Sequence, residues 1–200
     1  MKSNSTLPGR YVETENLLLR PFTQEDLELV FRIYSDEEIL RYTPFDTMNR
    51  EEAAAHLDRI TADWERRPCL SREYAVLLKE SGEKIGRTHI LTDPETETGM
   101  IGWFLLPEYR GRHFSREMTR ALLDTCFRDL GLRRVNAVCN PDNAASRKTL
   151  AACGLRLEAR LKEKCRYVKK GRVSWHDELE YAVLRSEYPG VLPASEGAAE

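Results

Sequence analysis

The segment Ile101–Leu130, IGWFLLPEYRGRHFSREMTRALLDTCFRDL, constrains this chain most. Its apolar start reads as a buried strand that ends at Leu106-Pro107, since proline cannot donate to a sheet ladder. A short basic loop, Tyr109-Arg110-Gly111-Arg112-His113, opens directly into a helix at Phe114. Met118, Ala121, Leu122, Cys126 and Leu130 repeat at helical spacing, and Gly131 stops the helix. The first amides of a helix lack intrahelical partners and carry partial positive charge. A glycine and two arginines at that point suit a diphosphate, or else a plain solvated connection.

The rest of the chain sets this unit in a mixed sheet. Leu17–Phe22 reads as a first strand, followed by a helix capped at Thr23 with Asp26 three residues on. Asn49 with Glu52 starts a second helix, with His56, Leu57, Ile60 and Trp64 on one side. Glu73–Leu78, Lys84–Leu91 and Thr98–Leu106 read as three strands joined by Ser81-Gly82 and Asp93-Pro94, an antiparallel meander. Arg134–Cys139 is a strand and Asn143–Cys153 a helix stopped by Gly154. Strands near Leu155–Val168 and Trp175–Leu184 close the domain. Residues 1–11 read as a flexible terminus and 189–200 as a disordered tail, leaving one domain over 12–188.

Composition excludes several classes. With 200 residues and 41% hydrophobic content the chain holds one ordinary core. Lysines and arginines (31) against acids (33) leave a net charge of −2, which argues against a DNA binder. No apolar run reaches membrane-span length, and MKSNSTLPGR lacks the apolar core of a signal peptide. Cys69, Cys126, Cys139, Cys153 and Cys165 form no CxxC pair and suit reduced, buried thiols. A cytoplasmic protein is expected. Dinucleotide, P-loop, HExxH and GxSxG signatures are absent from the sequence, and its four histidines are scattered. No metal site is expected.

Arg110-Gly111-Arg112-His113-Phe114-Ser115 resembles motif A of the GNAT superfamily of acetyl-CoA-dependent N-acetyltransferases, Arg/Gln-x-x-Gly-x-Gly/Ala after a strand ending in proline. Asn143 to Leu155 resembles the same superfamily's "Asn-x-x-Ser…Gly-Phe" segment. Glu13–Arg20 with Asp26, Ser35-Asp36-Glu37-Glu38 with Tyr42 and Pro44, and Trp175-His176-Asp177 before Tyr181 resemble the branch that acetylates ribosomal-protein N-termini. The likeness spans about residues 12–188.

The resemblance implies an α/β GNAT fold. Its central, mostly antiparallel sheet has about seven strands flanked by helices, and the fourth strand splays from the fifth to leave a cleft. The acetyl-CoA arm would bond main chain near Leu105 and Leu106. The diphosphate would sit at Arg110, Gly111, Arg112, His113, Phe114 and Ser115, with Asn143 alongside. His113 stands where the family has glycine, which permits positive φ. Many members use a tyrosine as proton donor to the leaving thiolate; the matched position here is Ala151, and Ser146 is the acid of the ribosomal-protein branch. His89 is the candidate base from the preceding strand, with Glu163 and Tyr167 as further possibilities.

The implied reaction is direct attack of a primary amine on acetyl-CoA in a ternary complex, with no covalent enzyme intermediate. The acceptor is a protein N-terminal α-amine or a small-molecule amine such as an antibiotic. A non-catalytic acyl-CoA-binding module is the alternative. Deprotonating a lysine at pH 7 costs about 4.6 kcal/mol, and an α-amine about 1.4 kcal/mol. The lack of a strong dedicated base therefore favours an α-amine. Arg160, Lys162, Lys164, Arg166, Lys169, Lys170 and Arg172 crowd one stretch, a solvated hairpin face or a dock for an acidic partner. A monomer or homodimer is expected.

Overall fold

A computed structural model describes residues 8–189. Eight strands form one sheet: β1 (Val12–Glu13), β2 (Leu17–Pro21), β3 (Ser71–Leu78), β4 (Lys84–Asp93), β5 (Thr98–Leu105), β6 (Arg134–Cys139), β7 (Arg156–Lys169) and β8 (Arg172–Leu184). Their order is β1-β2-β3-β4-β5-β6-β8-β7. Every neighbouring pair is antiparallel except β5 with β6. The strand beyond the expected seven is β1, too short to leave a period in the sequence. The extreme terminal residues, 1–7 and 190–200, lie outside the described residues.

Helices cover both faces. On one side α1 (Leu27–Ser35), α2 (Glu37–Leu40) and α3 (Arg50–Asp63) bury Val30, Ile33, Leu57 and Ile60 against Phe22, Ala75 and Leu106. On the other, α4 (Phe114–Asp124) and α5 (Ala144–Ala152) join Met118, Leu122 and Leu150 to Leu17, Leu19, Val76 and Val135. Burial of this kind is the main source of stability in such a layered sheet, at about 25 cal/mol per Å².

Local chemistry places the ends. Asn49 Oδ1 accepts from the Glu52 amide (2.9 Å), and the Glu52 carboxylate accepts from the Asn49 amide (2.8 Å), closing a capping box. Thr23 opens a 3-10 turn, Gln24–Asp26, so α1 starts at Leu27. The cause is Asp26, fully buried, which accepts from Thr23 N (2.8 Å), Arg20 (2.7 Å) and Lys84 (2.7 Å). The helix from Phe114 turns wide at its end: Thr125–Asp129 is a π turn, with the Leu130 amide on the Thr125 carbonyl. The last two strands run longer than their apolar content suggests and meet at Lys170-Gly171, both at positive φ (51° and 75°), the backbone a tight hairpin requires.

Candidate active site

Pairing between β5 and β6 stops after three residues. Thr98, Gly99 and Met100 lie opposite Arg134, Val135 and Asn136. Beyond that point β5 stays on β4 as far as Leu105, opposite Gly86. Strand β6 stays on β8 as far as Cys139, opposite Leu179. The parallel strands therefore diverge, and one edge of Ile101–Leu105 has no sheet partner. A cleft of about 630 Å³ opens there, lined from β5, β6, α5, the loop before α4 and the segment after α2.

The Leu106 amide donates to the Ile85 carbonyl (2.9 Å). Main-chain direction alternates along a strand, so Leu106, Phe104 and Gly102 address β4, while Leu105, Trp103 and Ile101 address the cleft. The Thr88 hydroxyl on the Gly102 carbonyl (2.8 Å) agrees. Leu106 is thus a correction: its side chain lies in the core under α1 and α3, and Trp103 is the main-chain partner of Leu105 on the open edge.

The basic loop makes one 3-10 turn, Pro107–Tyr109, and then presents Arg110 to His113. Gly111 and His113 have φ of +76° and +64°. His113 takes up the left-handed backbone that glycine adopts freely, which histidine tolerates better than bulkier residues. Helical bonding begins with Arg116 and Glu117, whose amides donate to the His113 carbonyl (3.0 and 3.1 Å). The amides of Arg112, His113, Phe114 and Ser115 find no acceptor among the described residues. They form a row of open donors at a helix start, the arrangement that holds phosphate oxygens. Arg110 lines the cleft. Arg112 does not; its guanidinium lies over the Phe114 ring (4.9 Å) on an outer groove beside Arg116 and Arg120.

Across the cleft, Asn143 caps α5, its Oδ1 accepting from the Ser146 amide (3.1 Å). Ser146 lines the cleft, and its hydroxyl has no hydrogen bond among the described residues. Ser115 and Thr149 hydroxyls lie 3.3 Å apart, tying the two helix starts together. Ala151 is exposed and outside the cleft, whereas Thr149 and Leu150 of that turn line it. The position that the sequence match assigns to the tyrosine therefore carries no proton donor and lies outside the cleft.

The base candidates fare differently. His89 lines the cleft, but its Nδ1 lies 2.9 Å from the Arg87 guanidinium. A guanidinium only donates, so Nδ1 holds the lone pair and Nε2 holds the proton. Burial and Arg87 push the ring down to about 3. As placed, His89 is a hydrogen-bond donor and not a proton acceptor, which corrects its role. Glu163 is exposed outside the cleft, its amide on Asp177. Tyr167 lines the cleft with its hydroxyl donated to the Tyr42 carbonyl (2.9 Å), and burial raises its pKa.

A cluster that the motifs do not reveal closes the far end. Buried Arg87 bridges Glu73 and the Tyr34 hydroxyl. Tyr34 packs against His56 (ring centroids 4.7 Å) and Phe104 (6.0 Å). His56 Nδ1 lies 2.9 Å from Arg59 Nη2, and burial, then Arg59, pushes His56 down to about 4. These side chains come from α1, α3, β3, β4 and β5, far apart in sequence, and no local signal links them. The basic hairpin is also less bare than its sequence: Arg160 and Lys162 meet Asp177, Lys164 meets Glu178, and Lys170 meets Glu37. Among the described residues no helix is long and apolar enough to cross a membrane, and no group of three metal-ligating side chains occurs.

The acetyltransferase (GNAT) domain family matches residues 16–156. The chain is 29% identical to the uncharacterized N-acetyltransferase YnaD of Bacillus subtilis over 178 residues, covering 89% of this chain and 99% of YnaD. A GNAT-family acetyltransferase from Bacillus anthracis matches with a TM-score of 0.75 at 25% identity, over 88% of this chain and 99% of that one. Mycobacterium smegmatis RimJ, solved with CoA-disulfide, shares the fold with a TM-score of 0.75 at 24% identity, over 88% and 85% of the two chains. The splayed parallel pair, the open amides before α4 and the match over most of its length agree: this chain belongs to the GNAT family of acetyltransferases.

Proposed function

We propose that this protein moves acetyl from acetyl-CoA to an α-amine, of an amino acid or of a peptide or protein N-terminus. The observation that carries the reading is the unpartnered β5 edge running directly into the open amides of Arg112–Ser115. A diphosphate fits four donors and the Arg110 guanidinium, and charge-assisted bonds of this kind contribute about 1.5–3 kcal/mol each. The pantetheine arm fits the Leu105–Trp103 edge as an added strand. Acetyl-CoA supplies an activated thioester.

The chain's own residues orient the amine and handle one proton. The amine nitrogen forms the new C–N bond as the C–S bond breaks. Ser146 Oγ delivers a proton to the departing sulfur and regains one from solvent. The amine proton leaves to water, because the candidate bases are held, His89 by Arg87 and Tyr167 by Tyr42, and each acid lining the cleft faces a cation. A cleft of this kind suits an amine of low basicity. The free thiols, four of them buried, support a reducing, cytoplasmic location.

The test is CoA-thiol release with a panel of amines. Peptides and amino acids with a free α-amine should turn over, and Nα-blocked lysine should react at least about tenfold more slowly, in line with its higher pKa. Faster reaction of the blocked lysine would overturn the α-amine assignment.

A further inference from the structure

We infer that the far end of the cleft recognises the carbonyl or carboxylate oxygen next to the reacting amine, with His56, Arg59 and His89 as its specificity residues. The inference rests on the acetyltransferase reading and names the acceptor class within it. Both histidines are held the same way. Each Nδ1 receives a guanidinium N–H at 2.9 Å, from Arg59 to His56 and from Arg87 to His89. In both rings the proton is therefore on Nε2. Two neutral imidazoles, fixed as donors by arginines behind them, line one end of one cleft. The Nε2 of His56 is buried with no partner among the described residues. A buried donor left unpaired is costly, and an acceptor oxygen satisfies it.

Charge points to the same chemistry. Every acid lining the cleft already faces a cation: Glu38 with Arg41, Glu73 with Arg87, Asp177 with Arg160 and Lys162, Glu178 with Lys164. Arg59 has only Asp63, at 3.9 Å, and is half exposed. Its charge is the least compensated at this end. A second ammonium, as in a polyamine, would meet donors and a cation. An α-amino acid unit, free or at the start of a peptide, offers an oxygen three bonds from its nitrogen. Tyr34, with the Phe45 and Phe104 rings 6.1 and 6.0 Å from its own, leaves an aromatic wall for an apolar side chain.

Matched acceptors test this on the intact protein. L-phenylalanine and L-leucine are each compared with phenethylamine and isopentylamine, with tripeptides beginning in the same residues, and with spermidine. Acetyl-CoA affinity is measured alongside by calorimetry. We expect the carbonyl-bearing member of each set to show about tenfold or higher kcat/KM, the free and peptide arms telling which source is used. In Arg59→Gln, and separately in His56→Phe, KM should rise about tenfold for carbonyl-bearing acceptors only, with acetyl-CoA affinity unchanged. Equal or better turnover of the simple amines or spermidine, with acetyl-CoA bound, would overturn the inference and leave the acetyltransferase reading standing. So would a KM change that is the same for both members of a pair. Absence of acetyl-CoA binding would overturn that reading and the inference with it.

Discussion

At the scale of single residues, the proposed diphosphate site turns on His113 and Arg110. His113 holds φ at +64° where β-branched side chains pay most. We expect His113→Gly to keep acetyl-CoA affinity within about threefold, because it relieves an αL cost of about 1 kcal/mol. His113→Val should lose about tenfold or more, because valine resists that backbone. Equal affinities would show that the backbone turn is not what holds the diphosphate. Arg110 and Arg112 look alike in sequence and differ in place, since only Arg110 lines the cleft. Arg110→Ala should therefore weaken binding about tenfold, and Arg112→Ala distinctly less; calorimetry on the two variants separates them. Ser146→Ala should lower kcat and spare acetyl-CoA affinity, whereas unchanged turnover would make the serine a spectator.

Secondary-structure elements carry a second set of consequences. Asp26 ties β2, α1 and β4 together through Arg20, Thr23 and Lys84. Those bonds hold its carboxyl at about 2, below its usual 3.8. Because the folded value is depressed, the stabilisation is full above the unfolded value and fades as pH falls from about 4 through about 2. Asp26→Asn should lower Tm at pH 7 and flatten that acid loss, which thermal melts across pH 2–7 would read. Gly86 lies against the Phe104 carbonyl in the β4–β5 pair. A methyl group there meets backbone, so Gly86→Ala should destabilise by about 1–3 kcal/mol in chemical denaturation. At this scale the sequence was most legible where the chemistry is local. Asn49 with Glu52, or Pro107 after an apolar run, announce an end by themselves. The π turn at Thr125–Asp129 and the strand ends at Lys169 and Arg172 were not legible, because packing and hairpin pairing set them, not their own composition.

The molecule as a whole divides its cleft between a motif and a meeting of distant residues. The side proposed for acetyl-CoA was legible as a structural unit because one continuous stretch, strand to loop to helix, builds it. The far end was not, because Tyr34, His56, Glu73, Arg87 and His89 converge only once β3, β4 and the first three helices have packed. His89 shows the limit well: its place facing Gly102 follows from strand register, but its donor role depends on Arg87 two residues away and on burial. Leu106 shows it too, since a single step of alternation turns its amide to β4. The gap between β5 and β6, with the loop before α4, is the proposed acetyl-CoA site. Calorimetric titration of the intact protein with acetyl-CoA, and with ATP as the control, tests it most directly. We expect one site of about micromolar affinity for acetyl-CoA and no measurable heat for ATP; no binding, or equal binding of the two, would contradict the account.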